Sequence, residues 1–341
     1  MTGWQRCHVL KELGHDVTEF AQDNYHYHSL LRGIIKKVTG VYLFDKAVLS
    51  QFNQEFLDAI TALKPEIAWI EKALLLLPET LEKAKKSLPG CTFVCYQDDD
   101  PFGPNHAERP LWKYFKETIP LYDLHYVLRE VNINEFYEHG AQNVSLCKLG
   151  YLPTLFHPPP KNYLPLEYRH DVSFVGAARD NRIRDIGNLM NHYHIPVNVY
   201  GNGWHRTLVY YQHRAQFYPS VNSQEYAAII WHSKISLGFV SAANRNDYTL
   251  RTFEIPACRG FLLAQRTEKH LELYEEGKEA EFFSSPEECA DKIHFYLTHE
   301  KERLKIAEAS YQRCIRSGYT LQQWISGALA RIHSFKKPVY K

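Results

Sequence analysis

Three aspartates in a row, Asp98-Asp99-Asp100, stopped by Pro101, follow an apolar run, Cys91-Thr-Phe-Val-Cys-Tyr96, that reads as a strand. In open parallel sheets, ligands bind beyond the carboxyl ends of strands. Adjacent carboxylates repel one another, so one of them can hold a raised pKa suited to proton transfer. The plainer reading is a solvated acidic turn. A metal-binding Asp-x-Asp motif would need a nearby third ligand and a phosphate substrate, and nothing local settles that reading. Asn105-His106 adds a second polar candidate beside the same strand end.

The second half of the chain carries residues suited to an anion. Phe174-Val175-Gly176-Ala177-Ala178-Arg179-Asp180-Asn181-Arg182 runs from a strand through a glycine loop into a helix, with Arg179 and Arg182 as fixed charges. That geometry aims backbone N–H groups at a phosphate, and two guanidinium groups suit a diphosphate. A structural turn would look the same. Tyr200-Gly201-Asn202-Gly203-Trp204 repeats the strand-to-glycine pattern and permits close backbone approach. The densest segment is Asn244 to Ala264, where a polar loop holding Tyr248 and Thr249 feeds a short helix holding Arg251 and Glu254. A carboxylate there could accept both hydroxyls of a ribose; an exposed glutamate with Arg251 as its i−3 partner is the simpler alternative.

These loops need strands and helices to hold them. Strand-like runs occur at Glu66–Ile70, Cys91–Tyr96, Leu124–Leu128, Asn143–Cys147, Asp171–Val175, Val197–Tyr200, Ile235–Val240, Gly260–Ala264 and Ala280–Phe283. Helical spacing separates them, as in Gln51–Leu63, Pro78–Ser87 and Arg182–His192, which predicts α/β units with parallel sheets. Ser285-Pro286 starts a helix, Lys301–Ser317 and Leu321–Phe335 read as two more, and Trp324, Ile325, Leu329 and Ile332 share one apolar face. Four prolines between His157 and Pro165 break the pattern near mid-chain. The chain opens on a helix, a Gly14 stop and the start of a strand at Asp16-Val17, so the first strand expected of an α/β domain is missing.

Composition bounds the function. The 341 residues suffice for about two domains. Net charge is +1, which excludes the phosphate-neutralising excess of a nucleic-acid binder. It divides as −3 up to residue 165 and +4 beyond, so the second half is the better anion binder. No run approaches the 20 or so apolar residues of a membrane span, and the N-terminus has no signal-peptide core. Leu30 to Lys37 is basic and apolar; it predicts an ordinary amphipathic surface helix, with peripheral membrane contact as the alternative. Seven scattered cysteines suit buried thiols in a reducing cytoplasm, and Cys91 and Cys95 lack the second pair a zinc site needs.

Taken together, Asp247 to Ala264, Thr267-Glu268, Glu279 to Phe283, Ser285 to Glu288, Arg303 to Ala307, Phe174-Val175-Gly176, Tyr200 to Trp204 and Leu13 to Val17 resemble the CgeB-type, spore maturation protein-like glycosyltransferases. The resemblance spans nearly the whole chain and is strongest from about residue 171 to 320. It implies a GT-B fold: two Rossmann-like domains with parallel sheets facing a central cleft. Residues 1–160 would form the acceptor-side domain, 161–320 the nucleotide-sugar domain, and 321–341 a helix crossing back. Donor contacts would come from Gly176, Arg179, Arg182, Gly201, Tyr248, Thr249, Arg251 and Glu254, with Glu254 matching the carboxylate that holds the ribose. Asp99, with Asp98 or His106 as substitute, is the candidate base. Retaining relatives often carry another glutamate eight residues before Glu254; Asn246 stands there, which leaves the stereochemistry open. Such enzymes need no bound metal and no cofactor beyond the nucleotide sugar, and their acceptors are glycans, lipid-linked glycans or proteins. A degenerate nucleotide-binding protein of the same fold is the alternative. A Rossmann oxidoreductase is disfavoured by the missing Gly-x-Gly-x-x-Gly.

Overall fold

Apolar runs that are continuous rather than alternating become strands covered on both faces. In the computed structural model, which describes residues 2–25, 29–39, 42–104, 109–161 and 168–335, Thr92–Gln97 is such a strand, buried at every position. The chain separates into two compact units: residues 1–148 with the chain from Trp324 onward, and Leu149–Gln323.

The first unit holds β1 (Ile67–Glu71), β2 (Thr92–Gln97), β3 (Leu124–Val127) and β4 (Val144–Leu146), all parallel and in sequential order. Helices Lys46–Leu63 and Pro78–Ser87 share a buried apolar cluster with Ala68, Phe93 and Cys95 of the strands; the first is N-capped by Asp45, whose side chain accepts from the Ala47 and Val48 N–H groups. Helix Leu321–Ser334 enters this unit at Trp324, which lies edge-on to Trp69 and Tyr126; the Tyr126 hydroxyl donates to the Ala328 carbonyl at 2.9 Å. Ile325, Leu329 and Ile332 are buried, as their common face predicts. The strand expected at Asp16-Val17 does not form. Residues 15–20 carry no regular structure and are almost entirely exposed, because this segment has too little apolar surface to bury against β1.

The second unit holds β5 (His170–Val175), β6 (Asn198–Tyr200), β7 (Phe217–Tyr218), β8 (Ser233–Gly238), β9 (Leu262–Gln265) and β10 (Glu281–Phe283). All are parallel, in the order β10-β9-β8-β5-β6-β7. From β5 the chain adds β6 and β7 on one side, then returns to add β8, β9 and β10 on the other. This reversal puts a topological switch point between β5 and β8, the place where loops splay apart and ligands enter open α/β sheets. The two-residue β7 has too little sequence to show a pattern. Val172, Phe174, Leu237 and Leu263 form the sheet's buried layer. Ser285 caps helix Pro286–Thr298 by accepting from the Glu288 N–H. All seven cysteines are buried free thiols, with Cys91 and Cys95 both inside or beside β2. Among the described residues no helix is long and apolar enough to cross a membrane.

Candidate functional site

Two glycine loops meet at the carboxyl ends of β5 and β6. The Gly176 N–H donates to the Tyr200 carbonyl at 2.8 Å and the Ala178 N–H to the Asn202 carbonyl at 2.9 Å. The Trp204 indole N–H reaches across to the Gly176 carbonyl at 2.8 Å, which ties the buried tryptophan to the loop. Gly201 has φ +153°, and a side-chain carbon there would stand 2.2 Å from the Gly176 oxygen. Only glycine lets the two backbones approach so closely. Gly176 is pressed in turn against Arg251: a Cβ at Gly176 would lie 2.9 Å from its Nη2.

Arg251 opens the short helix Arg251–Ala257, stacks over Phe174 and donates from Nε to the Val175 carbonyl at 2.6 Å. It therefore fastens this helix to the end of β5. Three residues on is Glu254, only 6% exposed. Burial pushes its carboxyl pKa up to about 7, and nearby Arg251 opposes the shift. The alternative of an exposed surface glutamate is thereby set aside. Arg182 is 8% exposed, its Nε has no hydrogen-bond partner, and it forms no ion pair among the described residues. Burial pulls its pKa down to about 10, Arg251 and Arg179 add like-charge repulsion, and Asp180 opposes them. A buried cation without an ion pair is costly unless an anion arrives to meet it.

The loop before the helix is set by a chain of neutral groups. The Thr249 N–H donates to Thr252 Oγ1 at 3.2 Å, and Thr252 Oγ1 lies 2.8 Å from His270 Nε2. His270 Nδ1 lies 2.6 Å from the Gln265 carbonyl, which can only accept. The proton is therefore assigned to Nδ1, and Nε2 accepts from Thr252. Burial holds His270 near pKa 4, so the imidazole stays neutral and the relay intact. The Thr249 N–H is thus turned inward to Thr252. Tyr248 packs edge-on against Phe253. Arg179 is exposed.

A cavity of about 250 Å³ opens at the carboxyl ends of the second unit's strands, lined by Asp180, Asn181 and Arg182 after β5, Val240 and Ala242 after β8, Gln265 to Thr267 at the end of β9, and Phe283 and Ser284 at the end of β10. It extends from the switch point between β5 and β8 towards β10. Glu254 is not part of the lining, but Arg251 acts electrostatically on both Glu254 and Arg182. Sequence reasoning did not single out Asp180, Gln265 or Arg266 for the site. The Ser241 hydroxyl donates to Asp180 at 2.7 Å, and the Val240 N–H to Gln265 Oε1 at 2.8 Å. The available signal was positional: Gln265 ends β9, Arg266 follows it, and Asp180 stands in the loop after β5.

In the first unit, the expected acidic run does follow β2. Asp98 is half-buried, 3.9 Å from Arg6; burial pushes its carboxyl pKa up and Arg6 opposes the shift. Asp99 is ion-paired with Lys72. Asp100 is buried and accepts from the Phe102 N–H at 3.1 Å and Asn132 at 3.0 Å. Each carboxylate thus has a protein partner, and no group of three or more potential metal ligands gathers among the described residues. His106 lies outside the described residues.

The fold is of the GT-B class, with two Rossmann-like α/β units that each carry a parallel sheet. Residues 181–330 match a family described as glycosyl transferase-like. Sucrose-phosphate synthase from Thermosynechococcus elongatus is similar in structure, with a TM-score of 0.65 at 12% identity over 97% of this chain and 92% of that one. So is a glycosyltransferase from Rickettsia africae ESF-5, with a TM-score of 0.64 at 13% identity over 98% and 94%. Anabaena HepE, solved in complex with UDP-glucose, has a TM-score of 0.58 at 12% identity over 82% of each chain. A search of curated proteins returns no match.

Proposed function

We propose that this chain is a glycosyltransferase of the CgeB type, moving a hexose from a nucleoside diphosphate sugar to an acceptor hydroxyl without a bound metal. The observation that carries the reading is a buried, unpaired Arg182 lining a cavity at the switch point, linked through Arg251 to the buried carboxylate of Glu254. A nucleoside diphosphate would bring negative charge to Arg182 and ribose hydroxyls to the Glu254 carboxylate. The match of residues 181–330 and the UDP-glucose bound to HepE support it.

In this reading the second unit takes the donor. Arg182, with Arg179 from solvent, neutralises the departing diphosphate, and Glu254 accepts the ribose hydroxyls. Gly176 and Gly201 bring backbone close to the phosphates, while Tyr248, Thr249 and Arg251 hold the loop and helix that present Glu254. The first unit takes a glycan, lipid-linked or protein acceptor, and Asp99, or Asp98 or His106 in its place, removes the acceptor proton. The buried free thiols suit a reducing compartment, the cytoplasm.

The test is calorimetric titration of UDP, GDP and ADP and their sugar conjugates against the wild type and Glu254→Ala. One nucleotide binds saturably to the wild type, and its affinity falls roughly 10- to 100-fold in the variant, as expected for a lost charge-assisted hydrogen bond. No binding of any nucleotide to folded protein removes the proposal. With a donor identified, Asp99→Asn is expected to lower turnover by a factor on the order of 100 or more while leaving nucleotide affinity unchanged. Intact turnover would remove Asp99 from the base role.

A further inference from the structure

We infer that helix Leu30–Thr39 of the first unit docks on an anionic lipid surface; this does not rest on the donor-site reading. The helix places Leu31, Ile34, Ile35 and Val38 at i, i+3, i+4 and i+7, a single face. Leu31 is 67% exposed, Ile34 53% and Val38 80%. One exposed leucine is unremarkable, but three large aliphatic residues along one face of a ten-residue helix form a contiguous patch.

Charge selects the occupant. Between Asp23 and Asp45 the chain has no acidic residue, and all three of its cations, Arg32, Lys36 and Lys37, fall on this helix. Arg32 is ion-paired with Asp45, so with Asp45 counted the segment still carries +2 in a chain whose total is +1. By helical register, position 37 lies to one side of the apolar face and position 36 nearly opposite it. A second copy of the chain would bring two such cationic segments against each other across a twofold interface. A surface of anionic headgroups over hydrocarbon satisfies both features at once. At about 1.5 Å per residue the helix is far too short to span a bilayer and would lie in its plane.

The test is co-sedimentation of the full chain with vesicles of equal parts phosphatidylglycerol and phosphatidylcholine, and with vesicles of phosphatidylcholine alone. The wild type is expected to bind the anionic vesicles at least about tenfold more tightly, with the difference removed by high salt. Lys36→Gln with Lys37→Gln lowers anionic binding by roughly tenfold or more. Leu31→Ser, Ile34→Ser and Val38→Ser together abolish it, with the helical circular dichroism of the wild type retained. Should the triple variant misfold, the lysine pair carries the test alone. Equal binding to both vesicles, or binding to neither, overturns the inference. So does a wild-type dimer by light scattering that the triple serine variant converts to monomer, which would make the face a self-association surface.

Discussion

Gly201→Ala is expected to destabilise the second unit by about 3–5 kcal/mol, the sum of overpacking and of backbone strain at positive φ. The new methyl group would stand 2.2 Å from the Gly176 oxygen and 2.6 Å from its carbonyl carbon. Both are backbone atoms, so no side chain can swing aside. Relief requires the two loops to part, which breaks the 2.8 Å bond from the Trp204 indole and the 2.9 Å bond between Ala178 and Asn202. Thermal melting should show a midpoint lower by on the order of 10 °C, and nucleotide affinity should fall because the cradle opens. Gly327→Ala is the matching control. A Cβ there meets nothing within 4 Å, and Gly327 lies inside helix Leu321–Ser334, so the change should stabilise by up to about 1 kcal/mol. A Gly201→Ala protein that melts with the wild type would contradict the close loop packing.

Glu254→Gln is expected to make the folded chain more stable at pH 8 while weakening its nucleotide binding. Burial raises the Glu254 pKa from the unfolded value of 4.5 to about 7. The native state therefore keeps a proton that the unfolded chain releases between these two values. By linkage, this residue's contribution to stability is intact below about pH 4.5, falls as pH rises through the window, and levels off above about 7. The full loss is about 3 kcal/mol. Glutamine cannot ionise and escapes it. The melting temperatures of wild type and variant should coincide near pH 4.5 and diverge in favour of the variant by pH 8. A variant less stable than the wild type at pH 8 would show that Glu254 is not a desolvated carboxyl. The same titration has a functional side. If the ionised form holds the ribose, donor affinity should weaken by up to about tenfold for each pH unit below 7. Retaining a carboxylate where an amide would be more stable is the trade expected of a binding site.

Much of the scaffold was legible because burial on both faces leaves a plain trace. Thr92–Gln97 and Leu262–Gln265 read as strands from unbroken apolar runs, and Ser285-Pro286 marked its helix start by capping chemistry. The failures have local causes. Phe217–Tyr218 becomes β7 only by pairing with β6, and two residues carry no period. Asp16-Val17 looked like a strand start, yet the surrounding residues had too little apolar surface to earn a place in the sheet.

For the site, the sequence by itself determined which residue types stand at the strand ends: Gly176 and Arg182 after β5, Gly201 after β6, Glu254 on the helix between β8 and β9. Tertiary structure decided what those groups can do. Arg182 and Glu254 are ordinary surface residues by type, and only packing buries both, leaves Arg182 without an ion pair among the described residues and shifts each pKa. Thr249 looked available to a phosphate until the relay through Thr252 and His270 turned its N–H inward. Asp180, Gln265 and Arg266 entered the cavity lining from strand ends far apart in the chain. The physical reason is common to all of these: side-chain identity and short-range period are written locally, whereas desolvation, charge proximity and hydrogen-bond partnership depend on which strands the sheet order makes neighbours.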